Sequence, residues 1–215
     1  MGKVADYFDD EGQELTGTIK DMAKYAGKDL PAMELIKPGK IISVGDLNSD
    51  DVGTGARINT ENKLDVEYVP VRCWFEYFRF RMQQGDADTN VIYLCAVLDL
   101  MEDLADFQEG KCDDYSLLAR VNPSWMDQAV EVLVYAVRDG GYKKWNWLKG
   151  MPWSVPVGCA IRHAKAILVD GESEDRESGL PHVGHIVANL IMLATFYESY
   201  PEGNDMPKSI YFKAQ

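Results

Sequence analysis

All three histidines of the chain, His163, His182 and His185, fall in one stretch from Trp145 to Asn189. Five acids crowd a short loop inside it: Asp170, Glu172, Glu174, Asp175 and Glu177. Just upstream stand six basic side chains, Arg138, Lys143, Lys144, Lys149, Arg162 and Lys165, interrupted only by Asp139. Carboxylates ligate hard divalent cations, and Lys and Arg neutralise phosphate oxygens. Side by side, the two sets can hold a divalent metal and an anionic ligand together, as a metal–nucleotide site must. A mixed carboxylate and imidazole set leans to Mg²⁺ or Mn²⁺. A histidine can instead contact phosphate or carry a proton near neutral pH.

His182, His185 and Asn189 recur at helical spacing and share one face. The loop W-N-W-L-K-G offers Trp145 and Trp147 for stacking a base and the Asn146 amide for reading its edge. Packing of that aromatic loop on the helices is the competing reading. Lys143, Lys144 and Lys149 stand where phosphates can be met. Further upstream, Arg57, Asn59 and Lys63 put phosphate-competent groups in a loop, which can equally be an ordinary solvated connection.

The elements that must position these groups follow from periodicity. A helix is expected from Leu15 to Tyr25, closed by Gly27, with a short helical piece after Pro31. A strand or hairpin follows in K-P-G-K-I-I-S-V-G-D-L, then a mobile turn in N-S-D-D-V-G-T-G. Helices are expected over Val71–Gln84, with Trp74, Tyr77 and Phe78 at helical spacing, and over Val91–Phe107. The second carries Asp99, Glu102, Asp103 and Asp106 on one face, either a solvated acidic face or a comb that binds Mg²⁺. A polar connection leads to a helix over Trp125–Arg138 with Ser124 as N-cap and Val130, Leu133, Val134 and Val137 as its apolar face. The next runs from Pro156 to Val169, with Ile161, Ala164 and Leu168 inward, and stops at Gly171. The last runs from Pro181 to Ser199, and the tail S-I-Y-F-K suggests a short strand or packed extension. The chain is therefore mainly α, with about five helices and an N-terminal extension over residues 1–55 carrying short strands. Residues 56–200 form the helical domain and 201–215 the tail.

Composition bounds the function. The chain has 215 residues and a formal charge of -13, from 22 Lys and Arg against 35 Asp and Glu. That balance excludes duplex DNA binding by general phosphate attraction. Cys73, Cys95, Cys112 and Cys159 are widely spaced and form no C-x-x-C, so free thiols in a reducing cytoplasm are expected. The acidic N-terminus has no apolar stretch for a secretory signal, and Asp6 breaks the myristoylation pattern. The longest apolar run, Val187–Tyr197, is shorter than the roughly 20 residues of a membrane span. The expected protein is soluble and cytoplasmic, without a membrane or nucleic-acid polymer as partner. No G-x-G-x-x-G, Walker A, G-x-S-x-G or H-E-x-x-H motif is present.

The order G-Y-K-K-W-N-W-x-x-G, then R-H, then G-E-x-x-D-x-E-S-G-L-P-H-x-x-H-x-x-x-N resembles the phage and bacterial dATP/dGTP diphosphohydrolase family. The segment A-R-I-N-T-E-N-K-L-D-V-E-Y-V-P is similar to that family's opening. The resemblance implies an all-α helical bundle of MazG-like type, in which residues 85–123 stand as an insertion. It implies hydrolysis of purine deoxynucleoside triphosphates to monophosphate and pyrophosphate, serving phages that use 2-aminoadenine, in a host cytoplasm and as a homo-oligomer. Carried over by motif position, Arg162, His163, Glu172, Asp175, Glu177, His182, His185 and Asn189 become the site. His163, Glu172, Asp175, His182 and His185 are then catalytic, and Glu172, Asp175, Glu177, His182 and His185 hold the metal. Arg57, Asn59, Lys63, Lys143, Lys144, Asn146, Trp147, Arg162 and Asn189 contact substrate. Two other readings stand beside it. One is an HD-like triphosphohydrolase, which the missing His-Asp doublet disfavours. The other is a non-enzymatic acidic phage protein that binds a host factor.

Overall fold

The computed structural model describes residues 7–8, 14–15, 42–58, 63–84, 90–113 and 115–208. Two short antiparallel pairs come first: β1 (Tyr7–Phe8) with β2 (Glu14–Leu15), and β3 (Ile42–Val44) with β4 (Arg57–Ile58). Leu15 stands in a strand; the rest of the helix expected to Tyr25, the piece after Pro31 and the tail strand lie outside the described residues. The expected strand over 37–47 is β3. Its partner β4 carries Arg57, so the segment expected as a loop begins as a strand. The turn between them is not loose. Its Gly53 and Gly55 amides donate to the Lys149 and Gly150 carbonyls at 2.6 and 2.8 Å. A Cβ on Gly55 would sit 2.7 Å from the Gly150 carbonyl oxygen, so the approach needs glycine.

Among the described residues five α-helices follow: α1 (Val71–Gln84), α2 (Val91–Gln108), α3 (Pro123–Arg138), α4 (Ser154–Leu168) and α5 (His182–Ser199). The chain is mainly α, as its periodicity predicts. Helix α5 lies between α3 and α4 and forms the centre of the core. Its Val183, Ile186, Val187, Leu190, Leu193 and Phe196 are at most 2% exposed. A helix covered on several sides has no reason to keep a polar stripe, and this one is apolar nearly all round. Polar residues His182 and Asn189, both 4% exposed, are the exceptions, and both belong to the site below. Gly184 lets α3 come close: a Cβ there would lie 2.9 Å from the Gln128 carbonyl oxygen.

Three local expectations are corrected. The inward stripe of α1 is Val71, Phe75 and Phe78, spaced four and three, while Tyr77 is exposed and Trp74 half-buried. The cap of α3 is Asn122, whose carboxamide accepts the Trp125 amide at 3.0 Å, with Pro123 opening the helix. The buried residues of α3 are Trp125, Ala129 and Val132, whereas Val130 and Val134 are 52% and 43% exposed. Helix α5 meets the first set, which leaves the second facing an open cleft. Helix α4 and its stop agree with expectation: Ile161, Ala164 and Leu168 are buried, and Gly171 has φ +70°.

The acidic face of α2 is partly solvated, with Asp99 exposed, and it is paired with cations rather than bare. Arg120, from the connection before α3, lies 3.4, 3.2 and 3.4 Å from Asp99, Glu102 and Asp103. Arg72 and Lys111 pair with Asp106 and Glu109. Burial pushes the Asp103 carboxyl up to about 6, against the pull of Arg120 and with the help of Glu102, Asp106 and Asp99. One of its oxygens is buried without a hydrogen-bond partner. Its protonated form therefore favours the fold. That contribution is complete below the unfolded value near 4 and is lost as pH rises through 6. Asp103→Asn should flatten the decline in Tm between pH 4 and 7. At pH 7.5 the variant should be the more stable by about 1 kcal/mol, a figure reduced for solvent screening. Thermal melts across this range check it; a variant weaker than the parent at every pH would refute the assignment.

Candidate functional site

Helix α4 presents His163, and the first two turns of α5 present His182, His185 and Asn189. The loop between the helices is closed on itself. Glu174 and Pro181 form an isolated β-bridge, the His182 amide donates to the Ser173 carbonyl at 3.0 Å, and the Asp175 amide donates to Leu180 at 2.8 Å. This closure folds Asp175 back toward the helix faces. Its carboxylate accepts from the Ser178 amide at 2.9 Å, the Ser178 hydroxyl at 3.1 Å and the Glu177 amide at 3.2 Å. The Ser178 hydroxyl also meets Nε2 of His185 at 2.9 Å.

The three imidazoles converge. His163 and His185 stack with ring centroids 4.4 Å apart and planes at 16°. His163 and His182 face each other through Nδ1 atoms 2.8 Å apart. One ligand-competent atom each from His163, Asp175 and His182 lies within 4.8 Å of the others, an arrangement that could hold a metal ion. Nε2 of His182 is buried with no hydrogen-bond partner, and Oε2 of Glu172 stands 3.7 Å from it. Burial holds His163 well below the usual imidazole value, and the neighbouring His185 and His182 add to this. Burial likewise holds His185 down at about 4, with Asp175 opposing and His182 assisting. Both rings are thus neutral at physiological pH, the state in which imidazole ligates. Burial raises the Asp175 carboxyl, but the Ser178 amide, His185 and His163 outweigh it and hold the group below its ordinary value.

Arg57 of β4 reaches the same region from the other side. Its Nη2 donates to Asn189 Oδ1 at 2.6 Å and lies 3.5 Å from Met192 Sδ, while Nε is buried without a partner. Asn189 in turn donates to the His185 carbonyl at 2.7 Å. Burial works against the Arg57 charge, but Cys159 and Tyr142 outweigh it and raise its pKa. Burial would raise the Cys159 thiol too, yet Arg57 and Arg162 hold it below its ordinary value. Arg162 donates to the Leu64 carbonyl at 3.0 Å and lies 3.4 Å from Glu67. Lys63 is exposed, and its charge is felt at His163, His185 and Cys159.

Arg57 also lines a cleft of about 410 Å³ beside the imidazoles. Val130, Val134 and Val137 of α3 form one wall, Trp145 and Trp147 another, and Met192 borders it near Arg57. Lys143 and Lys144 stand exposed among its lining residues. Trp145 has φ +64°, a conformation that costs a side-chain-bearing residue about 1 kcal/mol, and its indole is 57% exposed. Asn146 is not free to read a ligand. Its amide exchanges hydrogen bonds with the Ala56 amide and carbonyl at 3.0 and 2.8 Å, and so fixes the loop to the hairpin. Lys149 is held by the Ser49 carbonyl and Asp50.

The expected set thus divides. His163, Asp175, His182 and His185 come together, with Glu172 at their edge and Arg57, Asn189, Arg162 and Lys63 around them. Glu177 is exposed and stands outside the His163–Asp175–His182 group; its peptide oxygen accepts from Tyr135. Glu172 is paired with Arg176 as well as facing His182. Asn59 lies outside the described residues. Sequence reading missed Ser178, which holds Asp175 and His185 at once; the three-residue spacing from Asp175 is its signal. It also missed Cys159, which only the fold brings between Arg57 and Arg162.

Among the described residues no helix is long and apolar enough to cross a membrane. A family model described as dATP/dGTP diphosphohydrolase, N-terminal, matches residues 102–206. No curated protein and no solved structure matches the chain.

Proposed function

We propose that the chain hydrolyses purine deoxynucleoside triphosphates to the monophosphate and pyrophosphate, a reading supported by the match of residues 102–206 to the dATP/dGTP diphosphohydrolase, N-terminal, family model. The observation that carries the reading is Arg57. It touches the apolar cleft on one side and, through Asn189, the imidazole–carboxylate group on the other.

His163, Asp175 and His182 would hold a divalent metal ion, and Mg²⁺ or Mn²⁺ would accompany the triphosphate. The fit rests on the neutral-favouring ring of His163, a carboxylate whose ionised form is favoured, and the orphaned buried nitrogen of His182. Such an ion supplies charge neutralisation at the phosphates and acidifies a water. The rest falls to the chain's own groups. Arg57, Lys63 and Arg162 neutralise the triphosphate, and Asn189 aims Arg57. Trp145 and Trp147 flank the base in the cleft, with Lys143 and Lys144 at its edge, while Asn146 keeps the loop in place. Glu172 and His185 border the group and are placed to accept a proton. The water oxygen bonds to the α-phosphorus, the bond from that phosphorus to the bridging oxygen breaks, and pyrophosphate leaves. The setting we propose is phage nucleotide-pool metabolism in a host cytoplasm, including supply of dGMP for 2-aminoadenine DNA, by a homo-oligomer.

Incubation of the purified protein with each dNTP and Mg²⁺ or Mn²⁺, with products resolved by ion-exchange chromatography, tests this. The expected products are dAMP or dGMP with pyrophosphate. Nucleoside with intact triphosphate would favour the HD-like chemistry instead. Unchanged triphosphate under every condition would remove the enzymatic reading and leave a protein that binds a host factor, which His182→Ala and Glu172→Ala should not impair.

A further inference from the structure

Two imidazoles and one carboxylate are an uneven donor set for Mg²⁺. That ion keeps most of its waters and prefers oxygen, whereas imidazole nitrogen suits first-row transition ions. The order of affinity for such nitrogen sites rises from Mn²⁺ through Co²⁺, with Zn²⁺ also high.

The rings of His163 and His182 meet Nδ1 to Nδ1 at 2.8 Å. Two nitrogens each about 2.1 Å from one ion, at roughly a right angle, lie about 3.0 Å apart, so this spacing is that of neighbouring ligands. A single proton could also bridge the pair. It would leave Nε2 of His182 as it stands, 4% exposed as a residue and without a hydrogen-bond partner. A cation that takes both Nδ1 lone pairs fixes the His182 hydrogen on Nε2, on the side of Oε2 of Glu172, 3.7 Å away. A carboxylate behind a ligating histidine is how metal sites set the tautomer and raise ligand basicity. Asp175 completes the group, already oriented by three hydrogen bonds from residues 177 and 178.

We infer that His163, His182 and Asp175 form a resident centre for a nitrogen-preferring first-row ion such as Co²⁺ or Zn²⁺, filled without nucleotide, with Glu172 as the carboxylate that orients His182. Mg²⁺ is not held by these residues alone. The inference concerns the site of the proposed reaction but is read without nucleotide, so it survives if no dNTP is hydrolysed, and fails independently of that reading.

The test uses the full chain, freed of any purification tag and stripped with a chelator. Titration with Co²⁺ should give visible absorption from nitrogen ligation, saturating at about one equivalent per chain. An equivalent of Zn²⁺ should displace it, and a hundredfold excess of Mg²⁺ should not. His163→Ala and Asp175→Asn should each weaken Co²⁺ binding at least tenfold. Glu174→Gln, an exposed acid of the same loop, should leave it unchanged. Circular dichroism verifies that the variants fold. Absence of the Co²⁺ signal in the parent chain, displacement by Mg²⁺ at comparable concentration, or undiminished binding in folded His163→Ala would each overturn the assignment. The parent competition decides the matter even if a variant does not fold.

Discussion

Asp175→Asn should lower kcat/KM for dATP and dGTP about 10³-fold, close to 4 kcal/mol of transition-state stabilisation, with Tm nearly unchanged. Asp175 is the sole carboxylate in the His163–Asp175–His182 group, and its ionised form is favoured by Ser178 and the neighbouring rings. Without its charge only the two imidazoles remain, a weak hold on any cation. The loop should survive, because an Asn oxygen can still accept from the Glu177 and Ser178 amides. Steady-state kinetics beside a thermal melt separates the two effects. Activity within threefold of the parent would show that the carboxylate has no part in the chemistry. Loss of activity with an equal collapse of Tm would show a structural residue.

Arg57→Met should cost activity far more than stability. The guanidinium lies against Met192 and Asn189, with Nε buried and unpartnered, and Cys159 and Tyr142 favour its charged form against burial. Stability in the absence of ligand should change by no more than about 1 kcal/mol, because the lost hydrogen bond to Asn189 and the relief of a buried charge oppose each other. A triphosphate is a counter-ion for this charge, so kcat/KM should fall about 10²-fold, mostly through KM. Denaturant titration without nucleotide and initial-rate kinetics measure the two arms. A variant that is both less stable and fully active would contradict the role given to Arg57.

Much of the frame was legible in the residues. Helix boundaries for α1, α2, α4 and α5 lie within two residues of expectation, because proline, glycine and apolar period coincide there. The face shared by His182, His185 and Asn189 followed from helical spacing alone. Which apolar stripe of α3 faces inward did not follow: Val130 and Val134 repeat as regularly as Ala129 and Val132, and only the position of α5 decides between them. The role of Asn146 was hidden for a related reason. Its partner Ala56 is ninety positions away, and local spacing carries no information about such pairing. Among the five acids of the 170s, the turn that folds Asp175 back needs Ser178 and Gly179, so counting carboxylates could not single it out.

The hairpin tied to Lys149 and Gly150 bears on how this protein can be divided. The family match begins at residue 102, inside α2, and contains every imidazole and Asp175. Arg57 and the amides that grip the tryptophan loop come from before it. A fragment trimmed to recognisable similarity would keep the cation ligands but forfeit the floor of the neighbouring cleft. Expression boundaries for this protein should therefore begin upstream of β3, not where kinship first becomes detectable.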